Sequence, residues 1–330
     1  MRNLERLPSE LPSAAKFAQA NISLDEGDLK KGTDKLEDVI DDNGEQSPEA
    51  LIALVETQLL AAQPIEPEIA NLIEAYAKEL KGDELGPELR RAHVLALAKS
   101  GQFDRAFDAT EELGGDTEDD AAVKLRLRLL EELTAAAGDI VFLEHVFEQS
   151  ERDIVRLPVR KKMALATRMV NLGFAKHAQG IVASIPSRPR MDDRQLLAAR
   201  IALDLSQPMR TLAELVEMTG EEADLMRAKA KQLAGSHEEA YALYRAANAP
   251  QEAEQAAWLA DDWSSLALNE NPAFGPILAL SEAEAVPSNE IDGMLARNSA
   301  ALDESAAARE TLVNLLSAPE FEVQTSAVIE

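Results

Sequence analysis

The sequence predicts an all-α protein built as an array of stacked helical hairpins, on three observations. Apolar residues make up 46% of the 330 positions but aromatics only 4%. The apolar content is therefore carried by Ala, Leu, Val and Ile, of which Ala and Leu are the best helix formers. The alternating β-branched and polar runs that a sheet needs are missing until the last dozen residues. A short pattern centred on a turn also returns at intervals of 26 to 38 residues, which marks a stacked array and not one compact core.

Taken along the chain, the pattern opens at Gly27, Leu29 and Gly32 and continues at Gln63 and Ile65. It is clearest at Gly101, Phe103 and Ala106, after the Ala- and Leu-rich segment that ends at Lys99. It returns at Gly138, Ile140 and Leu143; at Gly173, Ala175 and Ala178; at Ser206, Pro208 and Thr211; at Gly235, His237 and Ala240; and at Asp261, Trp263 and Leu266. The residue types have physical roles. Glycine turns the chain through a left-handed conformation, the large side chain two positions on plugs the gap between helices, and the small residue three further on lets the two helices touch. Gly235 is followed at matching offsets by Tyr244 and Ala247, and Pro186 and Pro250 stand near unit boundaries.

This Gly-x-aromatic-x-x-Ala frame resembles the tetratricopeptide-repeat family, whose period is about 34 residues. The resemblance implies a right-handed superhelix of about eight to nine stacked hairpins, an α-solenoid with divergent repeats. On that frame residues 1–268 form the array and residues 269–290, which hold Pro272, Gly275, Pro276 and Pro287, a connection. Residues 291–316 are capping helices and residues 317–330 a tail. The stretch Gly138, Asp139, Phe142, Phe147, Arg156, Arg160 and Phe174 also resembles exported helical-repeat proteins that assist bacterial flagellar motors, which implies a periplasmic accessory role as the alternative.

No residue constellation points to catalysis, a cofactor or a metal, so none is expected. The chain has no cysteine, which removes disulfides, thiolate nucleophiles and cysteine-based zinc sites. Its four histidines, at 93, 145, 177 and 237, fall in four different repeats. His237 has no second histidine four residues on, so the zinc-protease pattern fails. The segment from Gly27 to Thr33 lacks the lysine and the preceding strand of a phosphate-binding loop. In the acidic loop Asp116, Glu118, Asp120, Ala121 replaces the glycine of a calcium loop and Leu127 its closing glutamate. An enzyme on a helical array would need a carboxylate pair that no spacing singles out.

Charge carries the functional expectation. The net charge is −27, which argues against nucleic acid or an anionic membrane as partner. Its distribution is uneven. Residues 1–150 carry 15 basic and 33 acidic side chains, residues 151–210 carry 12 and 5, and residues 211–330 carry 6 and 22. A basic belt (152–194) thus lies between acidic arms, and Arg152, Arg156, Arg160, Lys161, Arg168, Arg188, Arg190 and Arg194 are the candidate docking residues for an acidic protein or peptide. The expected role is a non-enzymatic interaction scaffold. No stretch reaches about 18 apolar residues, as a membrane span would, so the expectation is a soluble bacterial protein, cytoplasmic, or periplasmic where an export signal or anchor stood upstream.

Overall fold

The computed structural model describes residues 12–113, 120–149 and 151–262, with isolated positions between 265 and 313. The expected connection, capping helices and tail lie outside the described residues apart from those isolated positions, as does Trp263. Among the described residues there are sixteen α-helices and no strand. The chain divides into two compact units, Met1–Ser187 and Arg188–Glu330.

The first unit holds α1 (Ser13–Asp25), α2 (Leu29–Asp41), α3 (Ser47–Leu60), α4 (Pro67–Glu79), α5 (Gly86–Lys99) and α6 (Phe103–Glu112). It continues with α7 (Asp120–Ala136), α8 (Asp139–Glu148), the short α9 (Glu151–Arg156), α10 (Val159–Asn171) and α11 (Ala175–Ala183). Helices adjacent in sequence pack on each other from α1 to α8 and again at α10 and α11, α9 packs on α7, and α3, α5, α7 and α10 also pack in succession. The second unit holds α12 (Asp192–Asp204), α13 (Pro208–Glu214), α14 (Glu221–Leu233), α15 (His237–Ala246) and α16 (Pro250–Leu259), again packed on sequence neighbours, with α12 also touching α14. Proline stands in the first turn of α3, α4, α5, α13 and α16, where its missing N–H costs nothing.

The turns explain the repeating pattern. Gly27, Gly101, Gly173 and Gly235 have φ between 79° and 85°, and Ser206, Asn248 and Asp261 adopt 54°. In each case the next residue's N–H donates to a carbonyl five positions back, as Gln102 does to Leu97 at 2.8 Å and Phe174 to Met169 at 2.8 Å. This is the left-handed Schellman closure, which satisfies helix-end carbonyls and turns the chain sharply. At the degenerate copy the left-handed residue is Ala62, φ 53°, one position before the expected Gln63, whose N–H makes the closing bond to Gln58 at 2.9 Å. Several inward positions match the frame: Ile65 and Phe103 are buried, and Ala106, Ala178 and Ala240 are fully buried where helices meet, whereas Leu29, expected to plug the first hairpin, is 38% exposed.

The frame slips at α8. Gly138 is extended, with φ −63°, and precedes α8 as its cap residue. The side chain expected to plug the hairpin, Ile140, is 83% exposed, and Phe142 takes the buried place. With no Schellman closure here, the carbonyls at the end of α7 are satisfied from α10. The Arg168 guanidinium donates to Leu133 O at 3.1 Å, Thr134 O at 2.9 Å and Ala137 O, pairs with Asp139 at 2.9 Å, and lies 4.1 Å from the centre of the Phe142 ring. An arginine also serves the end of α13: Arg227 on α14 donates to the carbonyls of Leu215, at 2.8 Å, and Met218. Further along, Ala228, Ala240, Tyr244, Ala253 and Ala256 form one core cluster. The Tyr244 hydroxyl donates to Gln232 at 2.9 Å, and burial pushes its pKa up to about 12.

Candidate functional site

Three consecutive first helices of hairpins, α3, α5 and α7, lie side by side in the first unit and line a cleft of about 450 Å³. Its floor is aliphatic: Val55 from α3, Ala92 and Leu95 from α5 and Leu125 from α7 are all buried, with Ile52 partly so. The floor follows from helix periodicity, since Ala92 and Leu95 are three apart and turn the same face outward. Charges form the rim, namely Glu56, Glu88, Arg91, Asp120, Lys124 and Arg128. Lys124 bonds Asp120 at 2.6 Å, which raises its pKa, and Arg91 comes within 4.0 Å of Glu88. Glu56 and Arg128 have no ion pair among the described residues.

Around the cleft the charge is segregated. The first helices α3, α5, α7 and α10 carry ten basic and six acidic side chains. The second helices α4, α6, α8 and α11 carry three and ten. The excess sits on α10, with four basic and no acidic side chains, while the cleft-lining α3, α5 and α7 balance at six and six.

The belt is divided between the units. Arg152, Arg156, Arg160, Lys161 and Arg168 belong to the first, and Arg188, Arg190 and Arg194 to the second. Several already serve internal contacts. Arg168 caps α7 as described, Lys161 reaches Glu131 at 3.1 Å, and Arg156 lies 3.9 Å from Asp153. Arg190 bonds Glu217, and Arg194 is half-buried at the start of α12. Arg160 and Arg188 are exposed and carry no ion pair among the described residues. Arg152 and Arg156, separated from Arg160 by Pro158, end one helix before α10 begins. Proline cannot continue a helix at its interior, so the spacing of four does not make one stripe.

The histidines occupy four separate helices. His145 Nε2 lies 2.7 Å from Asp104 of α6, and its ring stacks on Phe107 with centres 4.4 Å apart. Burial lowers the pKa of His93, whose Nε2 is 3.9 Å from Glu74. Glu74 itself is held below the usual carboxylate range by its hydrogen bond to Lys78, and also meets Arg105 at 3.0 Å. Among the described residues no group of three or more His, Cys, Asp or Glu side chains is placed to hold a metal ion. No described helix is long and apolar enough to cross a membrane.

Sequence reasoning did not find Arg91, Lys124 and Arg128. They sit in the segment of lowest net charge, where counting hides them; the detectable signal is the four-residue spacing of Lys124 and Arg128 on a helix whose acids and bases balance. No protein-family model matches the sequence, and no curated protein is similar enough to count as a relative.

Proposed function

We propose that the protein is a non-enzymatic scaffold that holds a segment of another protein against the cleft of its first unit. The observation that carries this reading is the cleft itself, an aliphatic floor with a charged rim in which Arg128 and Glu56 have no ion pair among the described residues. Aliphatic floors bury side chains of a bound segment, and rim charges set its orientation and rate of encounter. The helices that line the cleft balance, six basic against six acidic side chains, so the basic excess that favours an acidic segment comes from the neighbouring α10. The belt is the rival location, and its exposed members Arg160 and Arg188 support a contribution from outside the cleft.

Affinity capture from a lysate of the source cells tests the reading with three baits. These are the wild type, a cleft variant Lys124→Glu with Arg128→Glu, and a belt variant Arg160→Glu with Arg188→Glu. All the substituted side chains are exposed, so helicity and melting temperature are expected to stay near wild type. A protein captured by wild type and by the belt variant but lost with the cleft variant supports the cleft. Loss only with the belt variant moves the dock to the belt, and identical capture by all three overturns both.

A further inference from the structure

The register slip at α8 leaves an apolar surface on the second-helix layer, away from the residues that line the cleft. Ile140 is 83% exposed and Phe147 46% exposed. Seven residues apart on one helix, they face the same way, about two turns from each other. Phe147 continues the surface onto α11. Its ring meets Phe174 edge-on at 5.2 Å between centres and the exposed His177 at 4.9 Å. Isolated exposed apolar residues are ordinary, but a contiguous set rimmed by charge marks a binding surface.

The rim is acidic. Glu144 stands between the two apolar residues on α8, exposed and without an ion pair among the described residues, and Glu148 is exposed beside Phe147. Among the described residues Glu148 has no ion-pair contact beyond the His145 ring, 3.8 Å away. Summed over α4, α6, α8 and α11 the layer is acidic, with three basic and ten acidic side chains, and on the face itself Asp139, Glu144 and Glu148 of α8 stand against one exposed base, Lys176 of α11. Two exposed apolar side chains at helical spacing, flanked by carboxylates, match a helix that presents apolar residues at positions i and i+7 with Lys or Arg beside them.

We propose that the α8–α11 face, centred on Ile140 and Phe147, is a second docking surface, and that its occupant is a basic amphipathic helix of another protein. It differs from the cleft in position and in its rim, which is acidic where that of the cleft is mixed. A scaffold with both surfaces joins an acidic segment on one layer to a basic helix on the other, while the outer dock stands even where the cleft is empty.

The probe is a synthetic helix of about 18 residues with Leu on one face and Lys on the other, fluorescently labelled and titrated against the full chain at physiological salt. A scrambled peptide of the same composition and a Leu/Glu helix serve as comparisons. Ile140→Asp is the first variant, because a side chain this exposed contributes little to folding. The second is Glu144→Lys with Glu148→Lys. Each is expected to weaken the Leu/Lys helix about tenfold or more, while Glu68→Lys with Glu79→Lys on α4 and the cleft change Arg128→Glu leave affinity within about twofold.

The proposal is overturned if the α4 reversal weakens binding as much as the α8 reversal, since net charge alone then holds the probe. It is equally overturned if the scrambled peptide binds as well, or if Arg128→Glu abolishes binding. Self-association of the wild type in sedimentation that disappears with Ile140→Asp replaces the foreign helix with a second copy of this chain.

Discussion

At the scale of single residues, the arginines show how one side-chain type serves opposite purposes. Arg168 and Arg160 were indistinguishable as members of a basic belt, because a charge count does not register what a guanidinium touches. In the fold Arg168 satisfies three carbonyls at the end of α7, pairs with Asp139 and covers Phe142, whereas Arg160 stands in solvent. Removing Arg168 strands the carbonyls of Thr134 and Ala137, which have no Schellman closure to fall back on, while Leu133 O keeps the Ala137 N–H at 3.3 Å. Arg168→Ala is therefore expected to cost roughly 2–4 kcal/mol, and Arg160→Ala less than about 0.5 kcal/mol. Equal midpoints for the two variants in urea denaturation would show that the α7 end is capped by other means. The small inward residues were legible from sequence because their role is local, as Ala106, Ala178 and Ala240 each sit a fixed five positions after a left-handed turn. Arg91, Lys124 and Arg128 were not, since α3, α5 and α7, each separated from the next by one intervening helix, have to pack side by side before their side chains share a rim.

Elements were legible where a glycine took the left-handed place in the turn, and less so where another residue did. Ala62 adopts φ 53° although a Cβ makes that conformation costly by about 1–2 kcal/mol. The closing bond from Gln63 holds it there. Ala62→Gly removes the strain at some cost in chain entropy, so a net gain of about 0.5–1 kcal/mol is expected. Thermal melting read by circular dichroism checks it, and a lower midpoint would mean that Ala62 is not strained. The slip at α8 was invisible for a physical reason. Gly138 fits the repeat by spacing, but a glycine is equally at home in an extended cap, and only the α10 arginine decides which role it takes. The buried plug is then Phe142 in place of Ile140. Spacing alone gave the right residue type at the wrong offset.

For the whole molecule, charge is the dominant long-range term. Residues 1–187 carry 22 basic and 35 acidic side chains and residues 188–330 carry 11 and 25, so each unit repels itself. Self-repulsion weakens a compact state and is screened by salt. Raising sodium chloride from about 0.02 M to about 0.3 M shortens the screening length roughly fourfold, and the melting temperature is expected to rise. A fall would mean that ion pairs such as Lys99 with Glu132, at 2.8 Å, outweigh the repulsion. The all-α class was legible from composition because helix propensity and the lack of strand patterning act residue by residue. The division at Ser187 was not, because Pro186 and Pro189 beside it read as one more boundary between repeats.

The reach of Arg168 from α10 back to the end of α7 has a mechanical consequence. With Lys161 to Glu131, Lys99 to Glu132 and Arg126 to Asp153, the cross-links of the first unit join a helix to the hairpin just before or after it. Load along the chain is then carried in series, as through the links of a bicycle chain. Tension applied at the ends reaches every link, and the weakest yields first, paying out roughly 120 Å of extended backbone for each hairpin of about 35 residues.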